Sequence, residues 1–112
     1  MSLKLADHLF TGPFPIDTTE IRSNQVPVVY AIVAKGGQPW APVFRIVDVG
    51  ATPDKGLRFC DHPRRQEWRV GVQENLGIYL FYAPRSKFSA SQREQLASEL
   101  RALYEPPHGI VG

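Results

Sequence analysis

The chain has a single cysteine, Cys60, so an internal disulfide is excluded and a cluster of thiolate ligands around a metal is nearly so. It also has no apolar run near the roughly 18 residues that a membrane-spanning helix needs. The first residues lack the apolar centre of a signal peptide. We therefore expect a cytoplasmic protein without a membrane partner.

A strong net charge is missing as well. The 13 Lys and Arg residues against 11 Asp and Glu residues give a formal charge of +2, which is too small to establish a nucleic-acid partner by itself. With 43% hydrophobic and 21% charged residues, the chain has the composition of a globular protein. We expect a single domain in which residues 1–25, rich in turn-forming Gly12, Pro13 and Pro15, form an irregular lead-in packed on residues 26–112.

Three apolar segments have the composition of β-strands. Residues 28–34 form a nearly continuous apolar run with β-branched side chains, and residues 76–83 are rich in Leu, Ile, Phe and Tyr. In residues 43–49, the side chains at 44, 46 and 48 alternate with those at 45, 47 and 49 on the two faces of a strand. The segments 28–34 and 43–49 are predicted to pair as an antiparallel hairpin. Simple alternation places Asp48 on one strand face with Phe44 and Ile46, where a carboxylate would need a polar partner.

Capping residues and prolines predict three helices: one from residues 52–54 to His62, one over residues 64–69, and one that starts at Ser89 or Ser91 and reaches Tyr104. The predicted order is strand, strand, helix, helix, strand, helix. This order indicates an α/β fold of the α+β type, with a small three-stranded, mainly antiparallel sheet flanked by helices.

Two triplets and the C-terminal segment carry a family resemblance. The triplets are residues 28–30 (Val-Val-Tyr) and 48–50 (Asp-Val-Gly), and residues 100–107 have the spacing Leu-x-x-x-Tyr-x-Pro-Pro. Together they resemble the GIY-YIG nuclease domain, with the tyrosine of the first triplet and the glycine of the second kept. The literal Gly-Ile-Tyr string at residues 77–79 lies downstream of the helix that it would have to precede, so it is not the motif.

The resemblance implies a nuclease-like groove. Arg58 falls where the family has its phosphate-contacting arginine, His62 where many members have a histidine, and Tyr30 would be the base or the residue that positions water. The family's metal-binding glutamate would fall at Ala97, so the resemblance implies a degenerate site with little or no cleavage.

Two other carboxylates are candidate replacements for that glutamate. Glu94 precedes Ala97 by three residues on the predicted helix, about 4.5 Å along its axis, and Asp48 takes the place of a family tyrosine. If either carboxylate supports activity, the cofactor would be Mg²⁺ or Mn²⁺.

Positive charge is concentrated in residues 55–69. Five cations against two acids, Asp61 and Glu67, leave a surplus of three, and the five are Lys55, Arg58, Arg64, Arg65 and Arg69. This composition favours phosphate contacts, although a solvated pair of helices would have the same composition. Trp68, near the end of this segment, is expected to pack into the core rather than to stack on a base.

Three functions remain open at this point. The leading hypothesis is a degenerate GIY-YIG-like domain that binds DNA or RNA through its basic face with little or no cleavage. The second is an active single-metal endonuclease, a phosphodiester hydrolase, that uses Tyr30 and Arg58. The third is a protein-interaction module, with an exposed patch around Trp40. The oligomeric state is not defined by the sequence.

Overall fold

A computed structural model describes residues 2–38, 40–53, 55–62, 68 and 75–104. These residues contain strands β1 (Ser2–Leu5), β2 (His8–Phe14), β3 (Glu20–Arg22), β4 (Val28–Gln38), β5 (Ala41–Ala51), β6 (Gly56–Arg58) and β7 (Asn75–Tyr82), a 3₁₀ turn (Phe59–Asp61) and helix α1 (Ala90–Tyr104). Five strands form an antiparallel sheet in the order β1-β2-β7-β4-β5. Strands β3 and β6 pair in a second, two-stranded sheet.

The predicted three-stranded sheet flanked by several helices is therefore wrong, because the described part of the chain is mainly β-structure with one α-helix. Residues 1–25 are not an irregular lead-in, since they contain β1, β2 and β3. The β1–β2 hairpin turns at Ala6 and Asp7, whose φ angles of 47° and 68° suit a two-residue type I′ turn. An Ala-Asp pair gives no such signal in the sequence, because this turn usually contains Asn-Gly.

The residues that suggested a loop near Pro13 instead allow close packing of two strands. A Cβ atom built on Gly12 would stand 2.5 Å from the carbonyl oxygen of Ile78, and one built on Gly77 would stand 2.5 Å from Cβ of Pro13. Strand β2 can lie directly beside β7 because neither position carries a side chain.

The helix predicted from residues 52–54 to His62 is also wrong. The hydroxyl of Thr52 does not cap a helix but bonds to the backbone of Val28, accepting from its N–H (3.1 Å) and donating to its carbonyl (3.3 Å). Gly56 has a φ of +88°, which a right-handed helix does not contain. Strand β6 pairs with β3, with Leu57 opposite Ile21. The helix predicted over residues 64–69 lies outside the described residues, apart from Trp68.

The remaining strand and helix predictions are confirmed. Strands β4 and β5 form the expected antiparallel hairpin, and β7 lies antiparallel to the other side of β4. Helix α1 is preceded by Ser89, whose Oγ accepts from the N–H of Gln92 (3.2 Å) while Gln92 Oε1 accepts from the N–H of Ser89 (2.8 Å). This reciprocal capping box selects Ser89, rather than Ser91, as the N-cap.

A β-bulge in β5 changes which residues share a face. Ile32 lies opposite Asp48 and Val33 lies opposite Ile46, so Val47 is an extra residue in the strand. Simple alternation predicted that Asp48 shares a face with Ile46. Because of the bulge, Asp48 instead faces the same side of the sheet as Ile32. The bulge turns the carboxylate into the core.

The two faces of the five-stranded sheet have different covers. On one face, Leu96, Ala97 and Leu100 of α1 pack in the same apolar cluster as Val29 and Ala31. On the other face, residues from the β3–β6 sheet and the segment after it pack in a cluster with β4, and these are Ile21, Phe59 and Trp68 against Tyr30 and Ile32. Tyr30 and Ala97 thus lie on opposite sides of the sheet, since neighbouring residues of a strand face opposite ways.

None of the described helices combines the length and the apolar character needed to cross a membrane.

Candidate functional site

Four side chains form a connected group beneath the β3–β6 sheet, which we call the buried polar cluster: Tyr30, His62, Trp68 and Asp48. The Tyr30 hydroxyl lies 2.8 Å from His62 Nε2. The rings of His62 and Trp68 are in contact, with centroids 4.5 Å apart at 37°. The indole N–H of Trp68 donates to Asp48 Oδ2 at 2.7 Å, which links the cluster to the bulge in β5.

The local sequence explains how Tyr30 is held. Gly50 lies opposite Tyr30 in the β4–β5 ladder, and a Cβ atom built there would stand 2.6 Å from Tyr30 Cζ. The tyrosine ring therefore covers a position that must lack a side chain. Phe59 lies edge-on against the same ring, with centroids 4.9 Å apart. These two neighbours direct the Tyr30 hydroxyl toward His62.

Asp48 is fully buried, at 0% exposure, and both of its carboxylate oxygens accept hydrogen bonds. Oδ2 accepts from Trp68, and Oδ1 accepts from the N–H of Val49 at 2.8 Å. The buried carboxylate is therefore satisfied by N–H donors, the requirement that made Asp48 a metal candidate in the sequence. Trp68 is confirmed as a core residue at 0% exposure, but the sequence analysis missed its role as the donor to Asp48. The signal was available, since a buried indole N–H needs an acceptor.

Arg58 points away from this cluster. It ends β6, next to the buried Phe59, and its side chain is 65% exposed. Its Nε atom lies 3.8 Å from Glu20 Oε2 and 3.5 Å from Asp61 Oδ2. Arg58 and His62 do not lie on the helix predicted to end at His62, because Arg58 is in a strand and His62 follows the 3₁₀ turn. The contacts of Arg58 are thus at the surface, whereas those of Tyr30 are inside.

The candidate metal ligand Glu94 is not near Tyr30 in the fold. It is exposed on α1, which covers the opposite face of the sheet, and Ala97 is fully buried on the side of α1 that packs against the sheet. Within the described residues, no group of three or more His, Cys, Asp and Glu side chains is placed to hold a metal ion.

Tyr79, on the same face as α1, has its pKa raised because burial disfavours its charged form.

A second candidate site is the outer groove, a depression of about 700 Å³ along the exposed side of β3, β6 and their turns. Its charged lining residues are Glu20, Arg22, Lys55, Arg58 and Asp61. Three cations against two acids leave a local charge of +1. Arg22 also pairs with Glu20, with Nε and Oε1 3.1 Å apart.

The outer groove contains part of the predicted nucleic-acid-binding set. Lys55 and Arg58 line it, whereas Arg64, Arg65 and Arg69 lie outside the described residues. Arg22 is an addition that the sequence analysis missed. It reaches the groove because β3 pairs with β6, which places Arg22 opposite Gly56. No sequence pattern predicts this pairing, since β3 has only three residues.

Comparison of the chain with protein-family models, with curated proteins and with solved structures found no match. The GIY-YIG resemblance therefore stays a prediction, and the candidate sites are interpreted from their own chemistry.

Substitution of Gly50 by alanine should displace the Tyr30 ring and break its contact with His62. We expect a loss of about 1–3 kcal/mol in the free energy of unfolding, the usual cost of overpacking a core. Urea unfolding followed by circular dichroism measures it. In a Tyr30→Ala background the same Gly50→Ala change should cost much less, because the ring is gone. Equal costs in the two backgrounds would contradict this packing.

Proposed function

We propose that the chain binds the phosphate backbone of DNA or RNA through the outer groove without cleaving it. The observation that supports this proposal is the position of Arg22, Lys55 and Arg58 along one exposed depression. Arginine and lysine side chains at the surface are the usual donors to phosphate oxygens, and each contact releases counterions from the nucleic acid.

The acids of the groove weaken this binding but do not prevent it. Arg58 Nε is 3.8 Å from Glu20 and 3.5 Å from Asp61, longer than the roughly 2.7–2.9 Å of a charge-assisted hydrogen bond. Exposed ion pairs of this kind contribute about 1 kcal/mol or less, so a phosphate can replace the carboxylates. A local charge of +1 therefore supports weak binding, with a dissociation constant on the order of 10⁻⁴–10⁻⁶ M at physiological salt.

No cleavage step is part of the proposal. Tyr30 is only 2% exposed, and its hydroxyl contacts His62 on the inner side of the β3–β6 layer. A phosphate in the outer groove would lie on the other side of that layer. The buried polar cluster is better explained as a packing and hydrogen-bonding element, because Asp48 and Trp68 satisfy each other there.

The proposal predicts that Arg58→Gln lowers the affinity for a fluorescein-labelled 20-nucleotide duplex about fivefold at low salt, the equivalent of about 1 kcal/mol. Fluorescence anisotropy measures the affinity. Lys4→Gln is the matched control, since Lys4 is 68% exposed on β1, an edge strand outside the groove. We expect that control to bind within about twofold of the native chain. Equal losses in the two variants, or no binding by the native chain, would overturn the proposal.

A further inference from the structure

The end of the β4–β5 hairpin extends past the described part of β7. Strand β7 is described from Asn75, which pairs with Lys35, whereas β4 and β5 continue to pair as far as Gln38 and Ala41. We call residues 35–45 the ribbon tip. Its turn contains Trp40, whose side chain is 80% exposed, the largest exposure among the large apolar residues that the structure describes. An indole in this position contributes little to the core and is accessible to a ligand.

The charge of the ribbon tip is of one sign. Residues 35–45 contain Lys35 and Arg45 and no Asp or Glu. Lys35 lies directly opposite Phe44 in the ladder, and both side chains are at least partly exposed. Within residues 35–45, an exposed indole and two cations form a surface that is complementary to a polyanion with exposed ring faces.

We propose that the ribbon tip binds single-stranded nucleic acid, with the Trp40 indole stacked on a base and Lys35 and Arg45 contacting the neighbouring phosphates. This inference rests on the proposed function and adds a preference for unpaired strands, because a base in a duplex does not offer its ring face. Trp40 and Phe44 are a small apolar area for a protein interface, and the two cations favour a polyanion over an apolar partner.

The tip and the outer groove are separate sites. The groove is lined by residues of β3, β6 and their turns, whereas the tip begins at Lys35, seven residues along β4 from Val28, or about 23 Å in extended geometry. Substitutions in one site should therefore leave the other intact.

Tryptophan fluorescence tests the inference directly, since the chain has two tryptophans and Trp68 is fully buried. Titration with unlabelled oligo(dT) should quench the emission of the native chain, and Trp40→Phe should remove this quenching. Trp40→Ala should lower the affinity for the single strand about tenfold and leave duplex binding nearly unchanged. Circular dichroism should show an unchanged melting temperature, because Trp40 is outside the core.

Each outcome of this experiment decides something. If quenching persists in Trp40→Phe, or if Trp40→Ala binds the single strand as well as the native chain does, the inference is wrong while duplex binding in the groove can still stand. If Trp40→Ala lowers binding and Arg58→Gln does not, the tip is the binding site and the groove proposal fails. A blue shift with phosphatidylserine vesicles but no quenching by oligo(dT) would replace nucleic acid by a membrane surface.

Discussion

Substitution of Asp48 by asparagine is expected to lower the free energy of unfolding by about 2–3 kcal/mol. The two carboxylate oxygens accept from Trp68 Nε1 and from the N–H of Val49, and an amide would point an NH₂ group at one of these donors. Each buried polar group left without a partner costs about 1–3 kcal/mol. The loss is a large part of the roughly 5–15 kcal/mol that stabilises a domain.

A double-mutant cycle with Trp68→Phe isolates the bond between the two side chains. The phenylalanine keeps most of the buried volume but removes the donor, so Asp48→Asn should cost at least about 1 kcal/mol less in this background. Urea unfolding followed by circular dichroism gives the free energies. Asp61→Asn is the matched control, because its side chain is 65% exposed, and it should change stability by no more than about 0.5 kcal/mol. Additive effects of Asp48→Asn and Trp68→Phe would contradict the cluster.

The second large effect should come from removing the acids of the outer groove. Glu20→Gln combined with Asp61→Asn changes the local charge from +1 to +3, since the three cations then have no acidic partners among the described lining residues. We expect the affinity for a duplex to rise about tenfold at low salt, because each lost ion pair no longer competes with a phosphate and contributes up to about 1 kcal/mol.

A pair of substitutions on α1 separates this local effect from the change in net charge. Glu94 and Glu99 are exposed on the helix that covers the other face of the sheet, so Glu94→Gln with Glu99→Gln gives the same change in charge far from the groove. Anisotropy titrations should show little change for this pair. If both double variants gain affinity equally, the binding depends on net charge and not on the outer groove.

The central elements of the fold could be predicted because their signals are local. Strand β4 begins with a nearly continuous apolar run, β7 is rich in aromatic and aliphatic residues, and the Ser89 capping box is contained in four residues. The elements that were missed depend on tertiary contacts. Gly12 and Pro13 predict a loop from the sequence, but in the fold they lie against β7. Thr52 predicts a helix cap, but its hydroxyl bonds to Val28.

The candidate site was predictable in part for the same reason. The family resemblance selected Tyr30, His62 and Asp48, and the structure brings these side chains together around Trp68. It does not bring Arg58 to them, because the exposed Arg58 side chain at the end of β6 lies against the surface acids Glu20 and Asp61. The bulge at Val47 could not be foreseen from alternation, and it alone decides that Asp48 faces the core.

The salt dependence of duplex binding tests the central claim most directly. The affinity of the native chain should be measured at several salt concentrations beside a variant with Arg22→Gln, Lys55→Gln and Arg58→Gln. In a plot of log affinity against log salt, the slope of the variant should be less negative by about 3, roughly one unit for each lost phosphate contact. The same slope for both proteins, or a flat response of the native chain, would contradict phosphate binding in the outer groove.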